Sequence, residues 1–350
     1  MSIRNRRRSR TILAAFAGAA VLAVSACSGS SDEPAAGNET SAAAADVSIF
    51  MAPKFTGLAY FEVARAGGER AGEELGIDFQ YVGSDEPDAT AQVQTLENSI
   101  TQKPSALVVS AIDGGAVSPS LKKAMDAGIV VVTYDADAEV DARDIFVNQL
   151  SYELAASTML DAALLNDPEG GKIAFVSASP TAPNHTAHVK IMKELIDTDP
   201  AYSALSYIDT VQFAGDDEQK SFDIAVNLMQ DPDLKFIISS SAATVPAAAQ
   251  AVVAQGRQGE VYATGFALPS SMKEFVADGS VKAFALWDPA ELGYVATMAA
   301  NQLVTGEITS EEGQVVKAGD AGDFTVGADG ELLYDKPLVF TAENIDEYDF

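Results

Sequence analysis

From residue 47 onward, short apolar runs alternate with longer stretches in which apolar positions recur every three or four residues. The runs at 47–52, 78–82, 106–110, 129–134, 144–147, 172–177, 206–213, 236–239, 260–266 and 281–287 predict strands. The stretches 57–75, 89–102, 118–127, 150–165, 184–197, 219–230, 245–255, 270–278 and 289–303 predict helices. Gly76, Gly128 and Gly256 stand just past three of these helices, where a left-handed residue commonly closes the last turn. Alternating strands and helices of this length imply an α/β fold, with parallel sheets covered by helices on both faces and joined by right-handed crossovers. The series restarts at Lys172, so it divides into two doubly wound lobes of similar size. Ligands bind outside the carboxyl ends of such strands, which predicts a cleft between the lobes.

The amino end reads differently. Arg4, Arg6, Arg7, Arg8 and Arg10 precede an apolar run at 11–24, the order of a secretory signal, and small residues lead directly to the single cysteine, Cys27. The stretch Leu22-Ala23-Val24-Ser25-Ala26-Cys27 resembles the lipobox of bacterial lipoproteins. That resemblance implies removal of residues 1–26 and a lipid anchor on the Cys27 thiol, with the folded part outside the cytoplasmic membrane. Residues 27–46, mostly Ser, Gly, Ala, Glu and Asp after the cysteine, have almost nothing to bury and read as a flexible tether.

Composition narrows the partners. The 350 residues are 47% hydrophobic, enough for a packed core, and 51 Asp and Glu against 22 Lys and Arg give a net charge of −29. Loss of residues 1–26 removes five Arg and no acid, taking that charge to −34. A nucleic-acid partner needs a basic face to release counterions, so none is expected. Membrane association is expected through the lipid anchor alone, since no internal stretch has the length of a spanning helix.

The residues just after each strand carry the candidate chemistry. They include Lys54 and Phe55 after the first strand, Asp135 and Asp137 after the fourth, and Asn148-Gln149 after the fifth. In the second half they include Asn184 and His185 behind Ser179-Pro180-Thr181, then Ser240 and Ala242, Phe266, Trp287 and Asp288. Aromatic faces beside carboxylates, amides and one ammonium suit a polyhydroxylated ligand, whose hydroxyls donate and accept and whose C–H faces stack on rings. Duller roles compete with these. Asp135 or Asp137 could punctuate a turn or cap a helix, Lys54 could be a solvated surface residue, and Trp287 could be core. His185 and His188, three apart, lack the clustered third ligand a metal site needs, and no cofactor is implied.

Taken in order, several stretches resemble the sugar-type solute-binding proteins of ABC importers. They are Ala52-Pro53-Lys54-Phe55-Thr56-Gly57, Thr133-Tyr134-Asp135-Ala136-Asp137, Asn148-Gln149, Ser179-Pro180-Thr181, Val245-Pro246-Ala247-Ala248-Ala249-Gln250-Ala251 and Leu286-Trp287-Asp288-Pro289. Within that group the chain is most similar to the autoinducer-2-binding and rhamnose-binding branch. The resemblance implies a type I periplasmic-binding-protein fold whose two lobes are joined by a three-crossing hinge and close on one small cyclic ligand. By that pattern the first lobe holds 47–149 plus about 287–315, and the second 150–286 plus about 316–350. It also implies ABC permease subunits as partners, and a membrane sensor would use the same cleft. Lys54, Asp135 and Ala242 match pocket positions of the autoinducer-2 binders. Asn184 and His185 stand where those binders carry an acid and Gln, and Ser240 stands where they carry Pro. These departures point to a related monosaccharide, a rhamnose-like deoxyhexose or a pentose, with autoinducer-2 the alternative. A carbohydrate-active enzyme would need two carboxylates set across a bond, for which Asp135 and Asp288 are the conceivable pair. No Gly-x-Ser-x-Gly elbow, His-Glu-x-x-His pair or phosphate-binding glycine loop supports an enzyme. A regulator with this fold would carry a basic helix-turn-helix where this chain has its signal-like segment.

Overall fold

Strand-helix units from the first half build a sheet buried on both faces. In this computed structural model, which describes residues 47–350, β1 (Ser48–Ala52), α1 (Ala59–Leu75), β2 (Asp78–Tyr81), α2 (Ala89–Gln102), β3 (Ala106–Val109), α3 (Gly114–Asp126), β4 (Val130–Tyr134) and β5 (Ile145–Asn148) follow in order. The segment 1–26, Cys27 and the stretch 27–46 lie outside the described residues. The strands run parallel in the order β5-β4-β3-β1-β2. Their side chains alternate between two cores, as the pleat requires. Ile49, Met51, Val108 and Val132 pack with Phe61 and Ala64 of α1, while Phe50, Leu107 and Val131 pack with Leu96 of α2 and Leu121 of α3. Helix α3 starts four residues ahead of its predicted start at 118. Asp113 caps it by accepting from the Ala116 N–H, and Pro119, in the second turn, lacks the N–H that would otherwise bond the Gly115 carbonyl.

The second half repeats the plan with α4 (Tyr152–Asn166), β6 (Gly171–Ser177), α5 (Pro183–Thr198), β7 (Leu205–Tyr207), β8 (Gln212–Phe213), α6 (Glu218–Leu228), β9 (Leu234–Ser239), α7 (Thr244–Ala254), β10 (Tyr262–Gly265), α8 (Pro269–Ala277) and β11 (Phe284–Leu286). Its parallel sheet has the order β10-β9-β6-β7, with β8 on the far end of β6. The strand predicted over 206–213 is therefore two short ones, broken at Asp209-Thr210, where polar residues interrupt the apolar run. A parallel bridge from Phe266 to Ala285 attaches β11 to this lobe. Gly76, Gly128 and Gly256 all take positive φ just past α1, α3 and α7.

Helix α9 (Pro289–Thr305) then returns to the first lobe and packs along α1. Small antiparallel strands β12 (Val315–Lys317) and β13 (Asp323–Thr325) follow, and β14 (Glu331–Leu333) adds to the first sheet, parallel to β5. Only β15 (Leu338–Phe340) rejoins the second lobe, antiparallel to β11. The last crossing thus falls between Leu333 and Leu338 instead of near 315, because β14 completes the edge that β5 would otherwise leave open. The chain passes between lobes three times, after β5, after β11 and after β14. The first and last passages run side by side: Tyr334 N–H donates to the Asn148 carbonyl at 2.8 Å, and Asp335 N–H to that of Gln149 at 3.0 Å. No helix among the described residues is long and apolar enough to cross a membrane.

Candidate functional site

Loops at the carboxyl ends of β1, β4, β8, β9 and β11, with the first turns of α1 and α5, line one pocket between the lobes. The space among these residues, counted out into the solvent at its mouth, is about 430 Å³. A second hollow of about 340 Å³ shares Lys54 and Asp216 with it and continues between the lobes past Ile112 and Ser179.

The first lobe contributes a buried ion pair. Asp135 leaves β4 in the left-handed region, φ 61°, a conformation Asp tolerates better than most residues. Lys54 Nζ lies 3.2 Å from its Oδ2, and the two residues are 6% and 4% exposed. Ser110 Oγ donates to the same oxygen at 2.7 Å, and Tyr60 donates to Oδ1 at 3.2 Å. Trp287 Nε1–H in turn donates to the Tyr60 oxygen at 3.0 Å. Burial and the Asp135 charge push the Tyr60 phenol well above its ordinary value, so it remains a donor. Edge-to-face rings extend this line across the second chain passage, from Tyr60 to Trp287 (6.0 Å), Phe266 (4.9 Å), His188 (5.9 Å) and Tyr152 (5.6 Å).

The second lobe contributes the cleft face of α5. Pro183 starts the helix, and Asn184 and His188 lie one turn apart on the same side. Asn184 Nδ2 donates to the Asp135 carbonyl at 3.4 Å, linking the lobes, while its Oδ1 has no partner in the protein. His185 Nδ1 accepts from the Ala178 N–H at 3.3 Å, which leaves its proton on Nε2. Burial, helped by the nearby Lys54 charge and opposed by Asp135, pulls the His185 pKa down to about 3. Burial, with His185 and Lys54, does the same to His188. Asp216 completes the wall, also left-handed at φ 56°, its Oδ1 accepting from Ser241 at 2.6 Å.

Of the residues singled out in the sequence, Lys54, Asp135, Asn184, His185, Ser240, Ala242 and Trp287 line this pocket together. Phe55 and Phe266 do not: Phe55 packs edge-on against Phe61, and Phe266 lies against Trp287. Asp137 lies outside it as well. Both of its oxygens meet the Arg143 guanidinium, at 2.9 Å from Nη2, and Thr133 donates to Oδ1. Asp288 is the cap of α9, accepting from the Ala290 and Glu291 N–H groups, because the chain turns into a helix at that point. Seven wall residues were not among the sequence candidates: the polar Tyr60, His188, Asp216 and Ser241 and the apolar Leu58, Phe61 and Leu286. Tyr60 and His188 occupy buried faces of their helices, and Asp216 follows the end of a strand, the same signal that marked Asp135.

Asp137→Ala leaves the buried Arg143 guanidinium without its carboxylate and is expected to cost about 3 kcal/mol of stability in urea unfolding. The histidines bear on acid. Each folds with its pKa depressed from an ordinary value near 6.5, so the unfolded chain takes up their protons first. Their contribution to stability is fully present above pH 6.5 and declines toward pH 3, each by up to about 1.4 kcal/mol per pH unit. Unfolding free energies at pH 7.5 and pH 5.5 check this, and His188→Gln should reduce the slope by one proton.

Comparison with known proteins agrees with the architecture. Residues 49–308 match the family described as the periplasmic binding protein domain. A sugar ABC transporter protein from Actinomyces odontolyticus is 37% identical, superposes with a TM-score of 0.72, and is matched over 87% of this chain and 98% of its own. A solute-binding protein from Clostridium phytofermentas, solved with bound L-rhamnose, is 29% identical with a TM-score of 0.81 over the same shares. The D-ribose/D-allose-binding protein of Pseudomonas aeruginosa is 28% identical over 72% of this chain and 81% of its own length. With two parallel-sheet lobes, three chain passages and a polar pocket between them, the chain belongs to the periplasmic binding protein domain family, among the sugar-binding proteins of ABC transporters.

Proposed function

We propose that this protein captures a single monosaccharide, a rhamnose-like deoxyhexose or a pentose, between its lobes and delivers it to the transmembrane subunits of an ABC permease. One observation carries the reading: polar groups from both lobes converge on the pocket, and two buried atoms there, Asn184 Oδ1 and His188 Nε2, have no partner in the protein. Buried polar atoms are almost always paired, so these await a polar ligand or water. Lys54 and Asp135 anchor hydroxyls from one side with charge-assisted bonds, Asn184 and His185 meet them from the other, and Trp287 supplies an apolar wall. Ala242 leaves room for the ring. The sugar bridges the lobes and favours the closed form by its greater affinity for it, and the permease distinguishes that form from the open one. Anchoring through lipidated Cys27 keeps the binder on the outer face of the cytoplasmic membrane.

A thermal-shift screen of the purified protein against pentoses, deoxyhexoses, hexoses and autoinducer-2 tests the assignment. A ligand that binds the folded state alone raises the melting temperature by mass action. A shift with L-rhamnose or another monosaccharide is the expected result. A shift with autoinducer-2 alone would reassign the protein to signal uptake, and none with any sugar would refute the proposal.

A further inference from the structure

Ser240 lines the pocket wall, yet its hydroxyl engages the protein, lying 3.1 Å from His188 Nδ1 and 3.7 Å from the Met159 sulfur. We propose that His188 is a specificity-determining residue that donates from Nε2–H to the bound sugar, and that Ser240 is the positioning residue that fixes this tautomer. The inference rests on the sugar-binding reading of the same pocket.

His188 is 1% exposed and lines the pocket, its ring held edge-on between Tyr152 and Phe266. A ring packed on both sides presents its two nitrogens in fixed directions. Nδ1 faces Ser240, and Nε2 has no partner among the described residues. The serine hydroxyl has one proton to give. An imidazole nitrogen at hydrogen-bond distance is a far better acceptor than a thioether at the edge of contact, so the proton goes to Nδ1. The ring's own proton is then on Nε2, a buried donor directed away from Ser240.

One helical turn earlier, Asn184 Oδ1 is a buried acceptor, also unpartnered. Its amide end is already committed to the Asp135 carbonyl, which fixes the orientation of the group. Helix α5 therefore offers one acceptor and one donor, both uncharged, on the face that lines the pocket. A single sugar hydroxyl satisfies both, accepting from His188 and donating to Asn184. A sugar with that hydroxyl missing or inverted would leave two buried groups unpaired, a penalty much larger than the loss of one solvated contact. The contact thus selects among sugars, whereas Lys54 and Asp135 hold any polyol.

The test is nitrogen-15 NMR of the histidine-labelled protein, with calorimetry on variants. Without sugar, His188 is expected to show a protonated Nε2 and a bare Nδ1, and Ser240→Ala to mix the two tautomers. With L-rhamnose, or whichever monosaccharide binds, the His188 Nε2–H signal should shift and its exchange with water should slow. His188→Leu should weaken that sugar about tenfold to a hundredfold and narrow the gap between it and its epimers. His188→Gln, which retains an N–H donor, should keep more of the affinity than Leu. Protonation on Nδ1, a His188 signal indifferent to saturating sugar, or unchanged affinity and selectivity in His188→Leu would each overturn the inference. Should no sugar bind the unaltered protein, the sugar-binding reading itself fails, and the tautomer still decides the role of Ser240. Spectra of the unaltered protein carry the test if a variant does not fold.

Discussion

Asp135→Asn is expected to abolish sugar binding while the protein still folds. The carboxylate receives Lys54, Ser110 and Tyr60 at once, so it organises every polar group of the first lobe that faces the pocket. Asn preserves its volume and accepts the left-handed φ of 61°, which Ala would hold only under strain. What it removes is charge. The Lys54 ammonium then faces a neutral amide in a nearly closed site, and breaking a buried pair in this way costs about 3–5 kcal/mol. Hydrogen bonds to a charged group contribute about 1.5–3 kcal/mol each, so a sugar that loses two of them binds at least a hundredfold more weakly. Thermal melts should show a lower midpoint without ligand and no rise when sugar is added. A variant that binds within a few-fold of the unaltered protein would show that the ion pair serves the fold and not the ligand.

Gly293→Ala is expected to be strongly damaging although it lies outside the pocket. Helices α1 and α9 approach so closely that a methyl group on Gly293 would lie 2.0 Å from the Ala64 carbonyl oxygen, and one on Gly67 would lie 1.7 Å from that of Ala290. Backbone cannot yield as a side-chain tip can, so the helices must separate. A loss of about 3 kcal/mol or more in urea unfolding is expected. Helix α9 begins directly after Trp287 and Asp288, so the same displacement moves the ring that supports Tyr60. Affinity should therefore fall together with stability. Gly115→Ala is the control, since its nearest neighbour would be the Asp113 carboxylate at 3.6 Å in the first turn of α3. It should be neutral or slightly stabilising. Equal behaviour of the two would contradict the close helix contact.

The sequence is a good guide wherever several residues repeat one instruction. Most strands and helices of 47–303 are legible because apolar periodicity is sustained over four or more positions, whereas the start of α3 is set by its cap Asp113, four residues ahead of the predicted start, and went unread. From 315 onward the strands have three residues each, too few to show a period, so β14 and its place beside β5 could not be read. The site divides on the same principle. Lys54 and Asp135 are legible because they directly follow buried strands. Asp137 follows the same strand two positions later, and only its contact with Arg143, six residues further on, takes it out of the pocket. Tyr60 and His188 occupy helix positions where an aromatic residue normally means core, and both are in fact buried. Their functional character lies in which atom is left unpartnered or who receives the hydroxyl proton, and that depends on contacts 52 to 227 residues apart in the chain.

On this reading the two lobes form one binding site for one small sugar, and calorimetric titration of the purified protein with L-rhamnose and with pentoses decides whether they do. Saturation at one monosaccharide per chain is expected, with a negative heat-capacity change as the walls formed by Leu58, Phe61 and Trp287 lose water. Absence of heat with every monosaccharide, or a stoichiometry other than one, would contradict it.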